Sequence, residues 1–465
     1  MSLKSLFAAK DMTQGAPWKR ILEFSIPMLL GNIAQQLYNT ADSVIVGIYV
    51  GDNALAAVGS ASPILNLLLA LFVGISTGAG IVISQAYGAR DRVGLSKSIG
   101  NCISLAAIAT VVIMIVGPLI TRPMLQMLDT PASIMDWCED YLNIYFFGIV
   151  GFFFYNMLSG VLRGLGDSVS ALGFLLLAAA LNVVLDIWFV AGFGMGVAGV
   201  SLATVISQAI SAVFCFIKLM RMGDIFDLNK STVKLDGSVA MRIIKIGVPS
   251  GITQAIMAMA GMVVQSLTNS MGEMVIAANV IIMRVDGFAM MPNFSFGQAM
   301  SVYTGQNVGA MKYDRINSGM KQGAVISVGC SVLITAILLC ANRFLFGIFT
   351  DTQELIDLAG RMMTIMAAGY IGVAVTQTLG GVMRGAGDTV TPMWISIIST
   401  IILRVPIAYI FAHFTASEAW PNGHPFSLSA SLLTSWVLGA VMSSIAFAAG
   451  KWRKKMLAVT DRDIP

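Results

Sequence analysis

Histidine occurs twice in this 465-residue chain and cysteine five times. His413 and His424 sit near the outer ends of the last two apolar runs, and no His-x-x-x-His or Glu-x-x-His pair is present. That excludes the usual zinc spacings and histidine-centred catalysis, so no enzyme activity, catalytic residue or cofactor is expected. Cys102, Cys138, Cys215, Cys330 and Cys340 are odd in number and mostly lie inside apolar runs. They read as small packing residues, with no disulfide frame. Charge is also scarce. Asp, Glu, Lys and Arg make up 11% of the chain, against roughly 25% in ordinary soluble domains. A soluble globular fold is excluded on that ground, and the net charge of +4 reflects membrane topology and is no sign of nucleic-acid binding. The polar start, followed by a long apolar run without a small-residue cleavage site, predicts no cleavable signal.

What remains is apolar: 57% of residues, with mean hydropathy +0.81. Runs of 20 or more apolar residues recur throughout, each long enough to cross a ~30 Å hydrocarbon core as a helix. Twelve are expected, at about 18–48, 54–87, 95–121, 134–159, 166–190, 194–219, 240–270, 275–308, 316–342, 354–381, 388–414 and 427–450. Met, Leu, Ala and Gly dominate without strict alternation, which argues against a β-barrel. The fold class expected is an all-α, multi-pass membrane protein.

The chain also repeats itself. Val161–Ser168, V-L-R-G-L-G-D-S, returns 221 residues later as V-M-R-G-A-G-D-T at Val382–Thr389. The same offset carries Gln85, Gly88 and Ala89 onto Gln306, Gly309 and Ala310. It also carries Gly51, Ala56 and Ala57 onto Gly272, Ala277 and Ala278, and Gly148 onto Gly369. Pro27 and Pro249 are offset by one more residue. The chain therefore reads as two fused copies of a six-helix unit: 1–219, a linker at 220–239, 240–450, and a basic tail at 451–465. An even helix number gives the copies one orientation, a parallel repeat of the kind found in transporters. In the R-G-x-G-D-[ST] turns, glycine supplies a left-handed backbone and Asp167 and Asp388 cap the following helices.

Orientation follows from the basic residues. Of 28 Lys and Arg, 23 fall on one side: before the first helix (Lys4, Lys10, Lys19, Arg20), in alternate loops, around the linker (Lys230 among them) and in the tail (Arg462 among them). The positive-inside rule places both termini in the cytoplasm of a cell-membrane protein.

Chemistry is expected where polar side chains enter the apolar zone. Gln35, Tyr38, Asn39 and Asp42 fall at i, i+3, i+4 and i+7, on one helical face. Asn182 and Asp186 share a face one turn apart. Carboxylates at such depth are costly and should face a cavity or a partner. Two of them together make a site for an exchangeable proton or, with neighbouring oxygen ligands, for sodium. The positions matching Asp42 and Asp186 in the second copy are apolar, near Val263 or Val264 and Ile407 or Ala408. That copy carries Arg284 and Asp286, which read as a local pair or a transport element, and Arg404. A methionine group (Met257, Met259, Met262, Met283, Met290, Met291) reads as packing, as such groups more often are, or as an adaptable surface that would suit a promiscuous lipophilic substrate.

With L-Y-N-T-A-D-S at Leu37–Ser43, the paired Q-x-x-G-A and R-G-x-G-D elements and twelve helices in two repeats, the chain resembles the multidrug and toxic compound extrusion (MATE) family of the bacterial type. The resemblance covers residues 15–450. It implies two six-helix lobes around a central cavity, and export of cationic or lipophilic compounds against inward H⁺ or Na⁺. It implies Asp42, Asn182, Asp186 and Thr204 as the ion-coupling set, with sodium on those four residues if sodium is the ion. It places Tyr38 and Asn156 on the substrate cavity, beside Gln35, Asn39 and Asp286. The expected partners are small cationic or amphipathic molecules, H⁺ or Na⁺, and membrane lipid. The resemblance leaves the middles of the seventh and tenth helices, where some branches carry acids, with only Gln254 and Gln377. The rival reading is a flippase for lipid-linked sugars, from the same wider superfamily.

Overall fold

A computed structural model describes residues 9–229 and 232–460. Lys4, Lys230 and Arg462 of the basic set lie outside the described residues. Twelve helical regions follow the twelve apolar runs. In the first copy they are α1 (Pro17–Tyr49), α2 (Asp52–Gly88), α3 (Arg92–Met127), the broken pair α4 (Ala132–Phe147) and α5 (Ile149–Gly164), α6 (Ser168–Asp186) and α7 (Gly196–Met220). In the second copy α8 (Gly237–Ser270), α9 (Glu273–Gly309) and α10 (Tyr313–Cys340) come first. A short α11 (Asn342–Gly347) follows, then the broken pair α12 (Gln353–Ala367) and α13 (Gly369–Gly385). The chain continues through α14 (Val390–Ile397), α15 (Arg404–Phe414) and α16 (Phe426–Ala448), and α17 (Lys451–Thr460) opens the tail. Among the described residues no strand forms beyond one isolated bridge between Ser417 and Trp420.

Nine of these helices are long and apolar enough to cross a membrane, and counting each bent pair as one span gives up to eleven. α1 falls outside that count because its polar face dilutes its hydropathy, yet its 33 residues span about 50 Å at 1.5 Å per residue. The protein is thus an all-α, multi-pass membrane protein.

The fourth and tenth runs are each bent where the sequence predicts one continuous helix, by 53° between α4 and α5 and by 43° between α12 and α13. The breaks fall at Gly148 and next to its repeat mate Gly369, where an added Cβ would press into Val205 and Trp436 respectively. Glycine there admits a close neighbour and gives up the helical preference that would keep the run straight. The fifth and eleventh regions each contain a π-helical stretch, Ile187–Gly192 and Ile398–Leu403. Asp186 immediately precedes the first and Arg404 immediately follows the second. Such stretches in α-helices are frequent at functional sites.

The chain divides into two compact units. Unit 1 holds the chain up to Asp11 and Ile26–Gly251, and unit 2 holds Met12–Ser25 and the chain from Ile252. Each has its own apolar core: one includes Ile64, Phe72, Phe146 and Phe153, the other Val275, Phe346, Met363 and Tyr370. The first helix of each copy therefore changes unit, at Ser25/Ile26 and Gly251/Ile252, close to Pro27 and Pro249.

The paired Q-x-x-G-A elements hold these incoming segments. In unit 1, Arg242 Nη2 donates to Gln85 Oε1 at 2.8 Å. In unit 2, the Met12 backbone N–H donates to Gln306 Oε1 at 2.8 Å, and Arg315 and Lys312 donate to the carbonyls of Met12, Gly15 and Thr13. Each element is followed by a residue with left-handed backbone, Arg90 and Met311, both at φ 56°. Within unit 1, Gly74 and Gly78 on α2 face Gly247 and Gly251 on α8. A Cβ on either α2 glycine would overlap the α8 backbone, the close approach that paired small residues permit between membrane helices.

The R-G-x-G-D turns behave as their composition predicts. Gly166 and Gly387 have φ of 84° and 90°. Asp167 accepts from Ser170 N at 2.9 Å and from Ser170 Oγ at 2.7 Å; Asp388 accepts from Thr391 N at 3.3 Å and from Thr391 Oγ1 at 2.7 Å. Both carboxylates are buried, and each has a lysine, Lys218 at 3.7 Å and Lys455 at 2.6 Å. Lys455 belongs to α17, whose Trp452 is buried and donates to Phe447 O. All five cysteines are free thiols.

Candidate ion-coupling site

The polar face of α1 divides in two. Gln35 and Asn39 turn to each other, with Gln35 Nε2 donating to Asn39 Oδ1 at 3.4 Å, and Asn39 is exposed. Tyr38 and Asp42 turn into unit 1, where α6 brings Asn182 and Asp186 and α7 brings Thr204. Asn182 and Asp186 are completely buried, and Tyr38 and Thr204 nearly so. The sequence places Asn182 and Asp186 on one face because they are one turn apart. The π-helical stretch begins immediately after Asp186.

Thr204 ties the cluster together. Its Oγ1 accepts from Tyr38 Oη at 3.4 Å and from Asn182 Nδ2 at 3.3 Å, and donates to Val200 O at 3.0 Å. Its hydrogen-bonding capacity is then used up. Asp42 lies beside the Asp186 carboxyl and the Tyr38 hydroxyl. Tyr141 and Tyr145, one turn apart on α4, are the other ionisable groups facing the pair. Among the described residues neither aspartate has a Lys or Arg partner. Four buried oxygens are left without a donor: Asp42 Oδ1, Asn182 Oδ1 and both of Asp186.

That surplus of acceptors is the distinctive feature. A buried polar oxygen without a partner costs about 1–3 kcal/mol, more when charged. Two adjoining carboxylates without a cation add mutual repulsion in a medium that screens poorly. A shared proton relieves both penalties by supplying a donor and removing a charge. A small hard cation relieves them through oxygen ligation. Among the described residues no cluster of three or more His, Cys, Asp or Glu is placed to hold a metal ion.

Unit 2 resolves its half-buried acid differently. Asp286 accepts from Tyr370 Oη at 2.7 Å, and Arg404 lies close enough to offset its charge. The local pair with Arg284 does not form: Arg284 is exposed and has no ion pair among the described residues. Residues two apart on a helix point to different faces, whereas Tyr370 and Arg404 arrive from other helices. Asp286 stands with these two in unit 2, and Gln35, Tyr38, Asn39 and Asn156 belong to unit 1. Asn156 on α5 is half-buried and donates to Phe152 O at 2.9 Å. Tyr141, Tyr145 and Tyr370 are the neighbours that the sequence reading missed. The sequence signal for the first two is their one-turn spacing.

The MatE family profile matches residues 27–188 and again 249–410. This chain belongs to the MatE family. The two matches start at 27 and 249, the offset that also separates Pro27 from Pro249, so the family unit occurs once in each repeat. MatE proteins are transporters that move small molecules across membranes. Similar proteins include the probable multidrug resistance protein YoeA of Bacillus subtilis, 27% identical over 90% of this chain and 92% of that protein. The probable multidrug resistance protein NorM of Thermotoga maritima is 24% identical over 96% of this chain and 95% of its own. Among solved structures, an outward-facing multidrug resistance MATE family transporter of the MOP superfamily shares the fold. It has a TM-score of 0.86 at 23% identity, covering 97% of this chain and 99% of that one. The MatE fold, two repeats and twelve spans, accounts for the helices described above.

Proposed function

We propose that the protein is a secondary-active multidrug exporter that couples outward movement of cationic or lipophilic compounds to inward movement of H⁺ or Na⁺ through Asp42 and Asp186. The observation that carries this reading is the set of four donor-less buried oxygens around two adjoining carboxyls. The names of the similar proteins from B. subtilis and T. maritima support multidrug resistance as the role. Asn182 and Thr204 bond to each other beside the carboxyls, and Tyr38 links the ion site to the polar α1 face with Gln35 and Asn39. In this reading the ion and the drug favour different access states, so each promotes release of the other. An imposed potential contributes about 2.3 kcal/mol per elementary charge per 100 mV. Asn156 and Asp286 are assigned to substrate contact, and both termini to the cytoplasm. Labelling a Ser231→Cys variant from outside intact cells would overturn that orientation.

The site is tested without transport. Adding tetraphenylphosphonium to lightly buffered, purified protein should release protons or displace radiolabelled sodium. Asp42→Asn should abolish that release while leaving the protein folded. Release of neither ion from the unmodified protein would contradict the reading.

A further inference from the structure

Unit 2 contains a cavity of about 110 Å³ bounded by α8, α9, α13, α14 and α16 and by the π-helical stretch before Arg404. Among the described residues its charged lining residue is Arg384. Among the described residues Arg384 has no ion pair, and its Nη2 reaches Gln377 Oε1 only at 3.5 Å. The acid one turn further on, Asp388, is committed to the Thr391 cap and to Lys455.

The first copy shows what an occupied arginine looks like at this position. Arg163, the repeat mate of Arg384, donates from Nη1 to Ser159 Oγ at 2.8 Å and faces Tyr155. Under the 221-residue offset, Ser159 becomes Gly380 and Tyr155 becomes Thr376. The second copy has thus lost the acceptor and the ring that occupy the first, and both replacements line the cavity. Ser396 and Thr400 add hydroxyls to the wall, while Met257, Phe294 and Trp436 make its apolar part.

We propose that this cavity binds the head of an amphipathic anion, a carboxylate or phosphate ester on Arg384, with the first carbons of its body against Met257, Phe294 and Trp436. A guanidinium flanked by hydroxyl donors matches an oxyanion and repels the cations assigned to the coupling site. The volume is below the ~300–1,000 Å³ of a drug-sized pocket, so the rest of the ligand extends beyond it. The chemistry is shared by a lipid phosphate and by a free anionic amphiphile.

The test uses the full chain in phosphatidylcholine nanodiscs, titrated calorimetrically with octyl phosphate, with octanol and octyltrimethylammonium as neutral and cationic controls. Octyl phosphate should bind saturably and neither control should compete. Arg384→Gln should weaken binding about tenfold, the worth of one charge-assisted hydrogen bond. Gly380→Ser restores the acceptor that the first copy has and should weaken binding similarly with the arginine retained. An added Cβ there meets the far end of the Arg384 side chain at 3.2 Å and Pro392 Cβ at an ordinary 4.0 Å, so this variant keeps the test open if Arg384→Gln does not fold. Arg163→Gln should bind as the unmodified protein does. Nanodiscs containing phosphatidylglycerol separate the sources: competition assigns the site to lipid phosphate, and unchanged affinity assigns it to a free amphiphile. Absence of saturable binding, equal binding of octyltrimethylammonium, or unaltered affinity in Gly380→Ser would overturn the proposal.

Discussion

Thr204 has one hydroxyl and three neighbours, and it satisfies all of them: two donors from Tyr38 and Asn182, one acceptor at Val200. Thr204→Val keeps the shape and removes the acceptor. It strands the Tyr38 hydroxyl and the Asn182 amide at a cost of about 1–3 kcal/mol. The expected outcome is a folded protein whose apparent ion affinity falls several-fold with maximal efflux rate largely kept, read from efflux against ion concentration. An unchanged ion dependence would mean that Thr204 only packs. Asp42 and Asp186 were legible in the sequence because a carboxylate in an apolar run has few inexpensive explanations. Thr204 was not legible from the residues alone, because threonines such as Thr110 and Thr121 bond to the carbonyl one turn back in the same way. Its place came from family resemblance. The partners of Asp286 were illegible for another reason: Tyr370 and Arg404 lie 84 and 118 residues away, and only helix packing brings them together.

At the scale of elements, two features separate folding from function. The buried caps Asp167 and Asp388 each satisfy a helix start, worth about 1 kcal/mol, and each also neutralises a lysine. Asp167→Ala and Asp388→Ala should lower thermal stability and yield while transport per folded molecule is kept. A loss of normalised transport equal to that of Asp42→Asn would give these turns a role in coupling. The glycine pairs of α2 and α8 have no such latitude. Gly78→Leu should abolish folding because its Cβ would overlap the Gly247 backbone, whereas Gly59→Ala meets nothing within 4 Å and should be neutral or slightly stabilising. Fluorescence-detected size exclusion of the two variants decides between them. Helix existence was legible throughout, but the bends at Gly148 and Gly369 and the π-helical stretches were not. Hydrophobic runs report length, and they do not report where a neighbour forces a break.

The linker is an element too. Arg92 donates to both oxygens of Asp227 and to the carbonyls of Gly223 and Asp224. The hydrogen bonds from Arg92 hold the Asp227 carboxyl below its ordinary range. The attachment is therefore fully present above the ordinary aspartate pKa of about 3.9 and is lost only as pH falls through the depressed folded value. Proteolytic nicking near residues 223–229 should stay low from neutral pH to about pH 5. It should rise at neutral pH in Arg92→Ala. Equal nicking in the variant and the unmodified protein would show that the linker is held elsewhere.

Across the whole molecule, duplication followed by divergence explains what the two copies share and where they part. Shared elements are structural: the R-G-x-G-D turns, and the Q-x-x-G-A glutamines that hold the incoming helices. The adjoining acids Asp42 and Asp186 occur in the first copy only, and Arg384, without an ion pair among the described residues, is in the second. The central claim is that Asp42 and Asp186 carry the coupling ion. Its most direct measurement is drug efflux from proteoliposomes under separately imposed pH and sodium gradients, normalised to folded protein, for the unmodified chain and Asp42→Asn. The unmodified protein should respond to one of the two gradients, and Asp42→Asn, nearly the same shape but unable to exchange the ion, should respond to neither. Efflux by Asp42→Asn at the unmodified rate under the driving gradient would contradict the account.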